Sequence, residues 1–595
     1  MDRKEIALED KWDLSSLFES DEAFELALEN LQKKLPSLGN YSGKLKEASL
    51  LKDYFDQYYD LESQLDNVFT YASLRESEDT RQAKASDMYA RAYSAYVQFL
   101  GIISYVQPEL LSLPKESFEA LLQAEELKKY RFLLEKIQRN QAHTLSEKEE
   151  NLLAQLQEVL GASSQISSKL MDADMTFESV KDSEGKHHEL TGANYILHQS
   201  SKDRVLRKNA FHSFYKTFKQ FNNTLAQTYS ACVNQATTEA KIRQFPSSLE
   251  MSLFQDNIPK RVYEQLIETV HEYLPVMYRY VALRKRLLGL DELHYYDLYT
   301  PLSSLDSRYS LQEAKEMVIQ AVQPMGQDYQ DIVQKAFQER WMDAYPNDGK
   351  RSGAFSSGTR TSIPYLLMNF SGTLDSVSTM AHEMGHSMHT YFTSHAQEQP
   401  YANYSLFIAE VASTVNETLL IEQLLEKESD PKKRLHLLNQ YLEGFKGTIF
   451  RQTMFAEFEK EAHAHREQGA SLSTEYLNQL YKGLIKDYFG KELVLDEEVA
   501  YEWSRIPHFY RPFYVYVYAT GYSSAVAIAE KIRKGTAQDR QNYRAFLSAG
   551  SSVYPLEALK LGGVDLNTKE PIQLALEKFK QIVEEAEKIV DELEG

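Results

Sequence analysis

The chain has 595 residues, 43% of them apolar, more than one hydrophobic core can use, since single cores stop growing at roughly 250–300 residues. Its 87 Asp and Glu against 66 Lys and Arg leave a net charge of −21; nucleic acid and anionic membrane surfaces are bound through excess Lys and Arg, so neither is expected as a partner. The single cysteine, Cys232, excludes an internal disulfide and suits a reducing compartment.

The N-terminal run MDRKEIALEDKWDL is charged throughout. Neither a signal-peptide stretch nor a membrane-length apolar run is found, so a cytoplasmic protein is expected. Helical spacing fills residues 22 to 175 almost without interruption. The polar stretch from Val180 to Glu189, with Gly185 inside it, reads as a hairpin turn. It lies near the expected boundary between an N-terminal helical region, 1–190, and a catalytic region, 191–595.

Residues Ser362 to Phe370 are short and apolar and read as an exposed strand ending in the turn Ser371-Gly372-Thr373. An extended peptide could pair with such a strand around Leu366 to Phe370, which makes Asn369 a candidate substrate contact. From Asp375 to Thr393 the spacing turns helical, with Asp375 or Ser376 as the cap. Within it His382, Glu383 and His386 form an HExxH array. Four residues make about one helical turn, so the two imidazoles can share one metal ion, while Glu383 falls beside them, placed to act on water. With 15 histidines in the chain, HExxH arises by chance in roughly a few per cent of such sequences, so its surroundings must carry the argument. The bland alternative is a buried helix with two hydrogen-bonded histidines.

A zinc ion needs a third protein ligand and one open position. The class with a third histidine six residues on is excluded, because Phe392 stands there and His389 stands where that class has glycine. Glu398 lies in a polar loop. Glu410 interrupts the apolar run Leu406 to Ala412, where a carboxylate is costly unless paired or bound to metal. Glu410 is therefore the expected third ligand. Glu417, seven residues on and on the same helical face, would orient a ligand from behind, or exchange roles with Glu410. His389 continues the stripe of His382 and His386 but sits roughly 10 Å from His382 along the axis, so packing or a supporting contact is expected. His463 and His465, in a charged stretch, read as surface residues.

Thr474 to Phe489 has one apolar face, with Ser473 or Thr474 as cap and Gly490 as stop. Ile506 to Tyr518 is rich in His and Tyr; if extended, it puts Tyr514, Tyr516 and Tyr518 on one side. Neutral O–H and N–H donors there could hold the oxyanion of peptide hydrolysis, although a chain with 39 tyrosines also uses them in cores. The last helix carries Ile572, Leu576, Phe579, Val583, Ala586, Val590 and Leu593 at spacings of four and three. That stripe suits docking on the catalytic region, with a dimer seam as the alternative.

HEMGHSMH at 382, FIAEVAST at 407 and HFYRPFYVYVYATGYSSA at 508 resemble, in order and spacing, the thimet-type oligopeptidases, a zinc metallopeptidase family. YDLYTPL at 296, GTIFRQTMFAEFE at 447 and GSSVYPLEALKLGGVDL at 550 are also similar. The resemblance implies a mostly helical, two-lobed fold with a deep central channel and a small β-sheet beside the HExxH helix. It implies Zn2+, one per chain, on His382, His386 and Glu410, with Glu383 as general base and His508 and Tyr516 as catalytic donors. A substrate-contacting tyrosine falls on Tyr510 or Tyr514, undecided because Tyr510-Arg511-Pro512 replaces the glycine-rich loop of mammalian relatives. The implied activity is endopeptidase cleavage of short peptides by a monomer or weak homo-oligomer. In the implied mechanism Glu383 takes a proton from zinc-bound water and passes it to the leaving amine. A helical zinc carboxypeptidase, gripping the substrate carboxylate with Arg505 or Arg511, and a non-catalytic peptide-binding protein are the alternatives.

Overall fold

A computed structural model describes residues 2–302 and 308–594. Helix accounts for 73% of the chain, against about a third in an average globular protein, so the mostly helical expectation holds. Among the described residues no helix is long and apolar enough to cross a membrane. The chain forms two compact units, each of three segments: 1–147, 307–423 and 528–564 in one, and 148–306, 424–527 and 565–595 in the other.

In the first unit, helix Ala48–Glu78 buries Leu51, Phe55, Leu61, Leu65, Val68 and Ala72. Their spacing of three, four and six residues keeps them on one face. They join a core with Phe24, Leu28 and Leu31 of helix Asp21–Lys34 and with Tyr365 and Leu367. The last two belong to a three-stranded sheet, ordered Met342–Asp343, Tyr365–Leu367, Phe355–Ser357. The central strand runs parallel to the first, Met342 opposite Leu366, and antiparallel to the third, Ser356 opposite Leu366.

This corrects the exposed strand read between Ser362 and Phe370. Only Tyr365–Leu367 is strand, all three residues are buried, and it pairs on both sides. An uninterrupted apolar run is the pattern of a strand covered on both faces. The backbone edge at Met342–Asp343 is flanked by the N-terminal segment, where Asp13 N donates to Arg340 O and Ala344 N donates to Asp10 O, both at 2.9 Å. Phe355–Ser357, half-buried, forms the other edge.

The second unit is built from long helices, among them Arg204–Ile242, Lys260–Leu287, Pro431–Phe445 and Arg451–Glu467. Thr474–Phe489 is capped by Ser473 and stopped by Gly490 at φ 74°, as its sequence predicts. The hairpin at Val180–His188 is also present, with Val180 opposite His188. Helix Glu570–Glu594 buries its apolar stripe from Ile572 to Val590 within its own chain, and leaves Leu593 exposed; Phe579 packs 5.5 Å from Phe445 and 4.9 Å from Phe450. Two buried carboxylates of this unit each hold two guanidiniums: Asp297 holds Arg204 and Arg207. Glu502 holds Arg451 and Arg505; its burial opposes ionisation, but the two guanidiniums outweigh it and bring the carboxyl to about 2. Cys232 is buried, with its thiol 4.0 Å from the Phe509 carbonyl oxygen.

His463 corrects the surface reading of the charged stretch around it. It is 1% exposed, its Nδ1 lies 3.0 Å from Ser248 Oγ, and its ring packs 4.4 Å from Phe513. Glu461, two residues before it, is exposed and Arg466, three after it, is half-buried, while His463 and Ala462 face the core, a division of helix faces that a count of charges does not register. His465 stacks on Tyr476 at 3.8 Å.

Candidate active site

Gly372, at φ 77°, turns the chain after the central strand, and Thr373 caps the helix Leu374–Ala396. The cap is Thr373 rather than Asp375 or Ser376. Thr373 Oγ1 accepts from Ser376 N, and the Ser376 side chain reaches back to Thr373 N, a reciprocal pair that satisfies two helix-end donors. Ser356 Oγ meets Ser387 Oγ at 2.8 Å, which ties the edge strand to this helix; the small sheet does lie beside HExxH. The opposite face buries Val377, Met380, Met384 and Met388, each worth about 1.5–3 kcal/mol of burial.

The second helix of the site, Leu406–Lys427, crosses this one at Gly385. A Cβ there would lie 2.5 Å from both Ala412 O and Ser413 Cα, so only glycine permits the approach. Asn416 Nδ2 donates to Ala381 O at 3.1 Å and Tyr329 Oη donates to Asn416 Oδ1 at 3.2 Å, fixing the two helices in register.

That approach brings His382, His386 and Glu410 into one cluster. The two imidazole Nε2 atoms are 3.2 Å apart, and Glu410 Oε2 stands 3.4 Å from the first and 3.5 Å from the second. Tetrahedral ligands at the usual zinc distances are separated by about 3.3–3.4 Å, so the triangle has the dimensions of one face of a zinc tetrahedron. Glu417 is hydrogen-bonded to His382 Nδ1, and Ser413 Oγ donates to Glu410 Oε2 at 3.2 Å.

The potential at this point favours positive charge. Burial works against a charged His382 ring, but the hydrogen bond and charge of Glu417 outweigh it and raise the imidazole to about 9. The hydrogen bond from His386 holds Glu410 at about 2 against its burial. Glu383 is 6% exposed, its Oε2 has no partner among the described residues, and burial raises its carboxyl despite the neighbouring histidines. A buried carboxyl with an unpartnered oxygen beside such a triangle is suited to take a proton from a third party.

His389 lies one turn on, fully buried and stacked on Tyr404 at 3.6 Å, with neither ring nitrogen partnered among the described residues. Burial pushes its imidazole down to about 3, so it is neutral. Asn369 Nδ2 donates to Arg351 O and Gly353 O, at 3.0 and 2.8 Å, holding the turn that leads into Phe355–Ser357.

In the second unit the late aromatic segment is not extended. His508 lies in a short turn, Pro507–Tyr510, and a helix begins at Tyr516. Tyr514 and Tyr518, four apart, therefore come together at 5.4 Å, and both contact His508; Tyr518 Oη is 3.4 Å from His508 Nε2. Tyr516 is 4% exposed, with its ring 5.0 Å from Tyr263. Tyr510 is half-buried, its hydroxyl 2.7 Å from Thr228 Oγ1. Partial burial first, and the Arg511 cation second, keep His508 below the usual imidazole range. Arg511 stacks over the Tyr514 ring at 4.0 Å. Arg505 is held by Glu502 and by Tyr215 Oη at 3.0 Å.

Residues 197–578 match the model of peptidase family M3, and residues 109–177 match that of oligopeptidase F. The chain belongs to peptidase family M3. It is 43% identical over 592 residues to oligopeptidase PepF of Bacillus subtilis, covering 99% of this chain and 88% of that protein. It is 40% identical to group B oligopeptidase PepB of Streptococcus agalactiae, over 99% and 98% of the two chains. The crystal structure of oligoendopeptidase-F from Enterococcus faecium superimposes with a TM-score of 0.74 at 36% identity, covering 96% of this chain and 99% of that one. The resemblance carried by the HEMGHSMH, FIAEVAST and late aromatic segments is thereby borne out. Within this M3 chain, two residues escaped the sequence reading: Gly385 was legible only as a letter inside HExxH, and Ser356 had no pattern to mark it.

Proposed function

We propose that this M3 peptidase is a zinc-dependent endopeptidase that cleaves internal bonds of short peptides. The observation that carries the reading is the His382–His386–Glu410 triangle, with edges of 3.2 to 3.5 Å, set beside the unpartnered Glu383 oxygen. Zinc held by these three would lower the pKa of water and polarise the scissile carbonyl. Glu383 accepts the proton of the attacking water and delivers it to the leaving amine nitrogen, which its buried, raised carboxyl favours. Glu417 fixes the His382 ring, and Ser413 steadies Glu410. Nitrogen and oxygen ligands with this spacing suit zinc and also admit related divalent ions.

His508, held below the usual imidazole range by burial and by Arg511, and the hydroxyl of Tyr518 supply donors for the developing oxyanion, with Tyr514 and Arg511 shaping that surface. The tyrosine role moves here from Tyr516, whose ring packs in the core against Tyr263. With the central strand paired on both sides, the half-buried edge Phe355–Ser357 takes the role of pairing with an extended substrate. Commitment of Arg505 to Glu502 leaves it unsuited to grip a substrate carboxylate; Arg511, stacked over Tyr514, is the cation that carboxypeptidase action would need, and a peptide blocked at both ends separates the two readings. A site in the cytoplasm is in keeping with the lone buried cysteine.

The test uses a peptide blocked at both ends, with metal analysis before and after chelator treatment. Internal cleavage that is lost with the metal and restored by zinc is expected. Glu383→Gln should keep its metal and lose turnover by about 10²–10⁴-fold; a variant that cleaves at the parent rate sinks the general-base role.

A further inference from the structure

Glu459 closes the segment GTIFRQTMFAEFE and has no part in the chemistry above. It is fully buried. One carboxyl oxygen accepts a hydrogen bond from the backbone N–H of Phe513 at 2.9 Å, and the other has no partner among the described residues. Burial pushes this carboxyl well above the carboxylate range, with only the Phe513 amide opposing.

Phe513 stands at φ 58°, a left-handed conformation that a bulky side chain rarely adopts. Its ring is 2% exposed and wedged 4.4 Å from His463 and 5.9 Å from Tyr263. The kink thus has two anchors, ring packing on one side and the Glu459 carboxyl on its amide. Next to it, Ser252 Oγ donates to Pro512 O at 3.1 Å. The reversal at Phe513 turns its own side chain inward and leaves Tyr514 stacked parallel to His508 and edge-on to Tyr518.

Stability alone does not call for a carboxyl here. An unbranched apolar side chain of similar length would fill the same space without an unpartnered polar oxygen, but would leave the buried Phe513 N–H without an acceptor, whereas an amide would serve that N–H as well as a carboxyl.

We propose that Glu459 is a positioning residue: by accepting the Phe513 amide it fixes the kink that holds His508, Tyr514 and Tyr518 in one arrangement for the substrate. The inference rests on the reading of that cluster as the donor set of the peptidase.

Turnover of a doubly blocked, internally quenched peptide is measured for E459M and E459Q, alone and in the H508A background, with Tm for each. E459M, which leaves the Phe513 N–H without an acceptor, should lower Tm modestly while kcat falls about 10- to 100-fold with KM changing less, the scale of loss that a small misplacement produces. E459Q, whose amide oxygen can still accept from Phe513, should stay within about threefold of the parent. In the H508A background E459M should cost less than about twofold, because the two act through one unit. Parent-like kcat in E459M overturns the assignment, as does an equal loss in E459Q, or a full loss retained in the H508A background. Should E459M fail to fold, E459Q decides: a kcat near the parent supports the clamp, and a tenfold loss rejects it. If H508A itself keeps full turnover, the donor reading falls and the clamp with it; if H508A is impaired and E459M is not, the clamp alone falls.

Discussion

Glu417 accepts a hydrogen bond from Nδ1 of His382. A carboxylate can only accept, so Nδ1 carries a proton in either charge state of the ring, and Nε2, beside His386 and Glu410, is the nitrogen left to give up its proton and bind metal. Glu417→Gln keeps the shape but weakens the acceptor and frees the ring to rotate. Zinc affinity, measured by competition with a chromogenic chelator, should fall by about 10- to 100-fold, with loss of turnover at limiting zinc and recovery when zinc is raised.

Gly385→Ala is expected to act on the same triangle from behind. The new Cβ meets backbone rather than a yielding side chain, so the helices must separate, at a cost of about 1–3 kcal/mol. Glu410 moves away from the histidines as they do. Retained metal after dialysis should drop together with Tm; a variant with parent zinc content and parent Tm would show that the crossing has slack.

Two phenylalanine variants separate the tyrosines. Tyr518→Phe removes the hydroxyl beside His508 and should lower kcat about tenfold or more with Tm unchanged. Tyr516→Phe alters a ring held in the core and should show mainly in Tm. Equal kcat losses in the two would return Tyr516 to the chemistry.

Glu62 and Asp66 lie one turn apart on Ala48–Glu78, largely buried, with Gln399 Nε2 donating to Asp66 at 3.0 Å. Burial, then the charge of Asp66, raises Glu62 from 4.5 to about 7, and burial raises Asp66 from 3.8 to about 6. Both carboxyls thus hold protons in the folded chain that the unfolded chain has released. Stability is therefore greatest at the acid end of this window and falls as pH rises through it, up to about pH 7. Glu62→Gln should flatten that slope and raise stability near pH 8 by on the order of 2 kcal/mol, read as Tm at about pH 5 and about pH 8; an unchanged slope would contradict the shift.

What the sequence made legible was what local spacing controls. Four-residue separation placed His382 and His386 together, the apolar setting of Glu410 marked it as anomalous, and Ser473 with Gly490 bounded a helix to the residue. Long-range pairing was not legible. Nothing local distinguishes a central strand from an edge at Tyr365–Leu367, because the partners lie eight to twenty-four residues earlier in the chain and pair with both of its edges. Alternating tyrosines imply a common face only in a strand; once a helix begins at Tyr516, residues 514 and 518 share the face instead. His463 and Glu459 share a similar story, since charged neighbours conceal which residues a helix turns toward the core.

The lone cysteine has a use as a clock. Its thiol, raised to about 12 mainly by burial, lies 4.0 Å from the carbonyl oxygen of Phe509, inside the segment that carries His508. Thiolate chemistry is suppressed while that segment is closed. Modification of Cys232 by a small alkylating reagent would therefore count local openings of the His508 segment, against no background from any other thiol in the chain. Peptide that orders the segment slows the count, and loosening of the Phe513 kink speeds it.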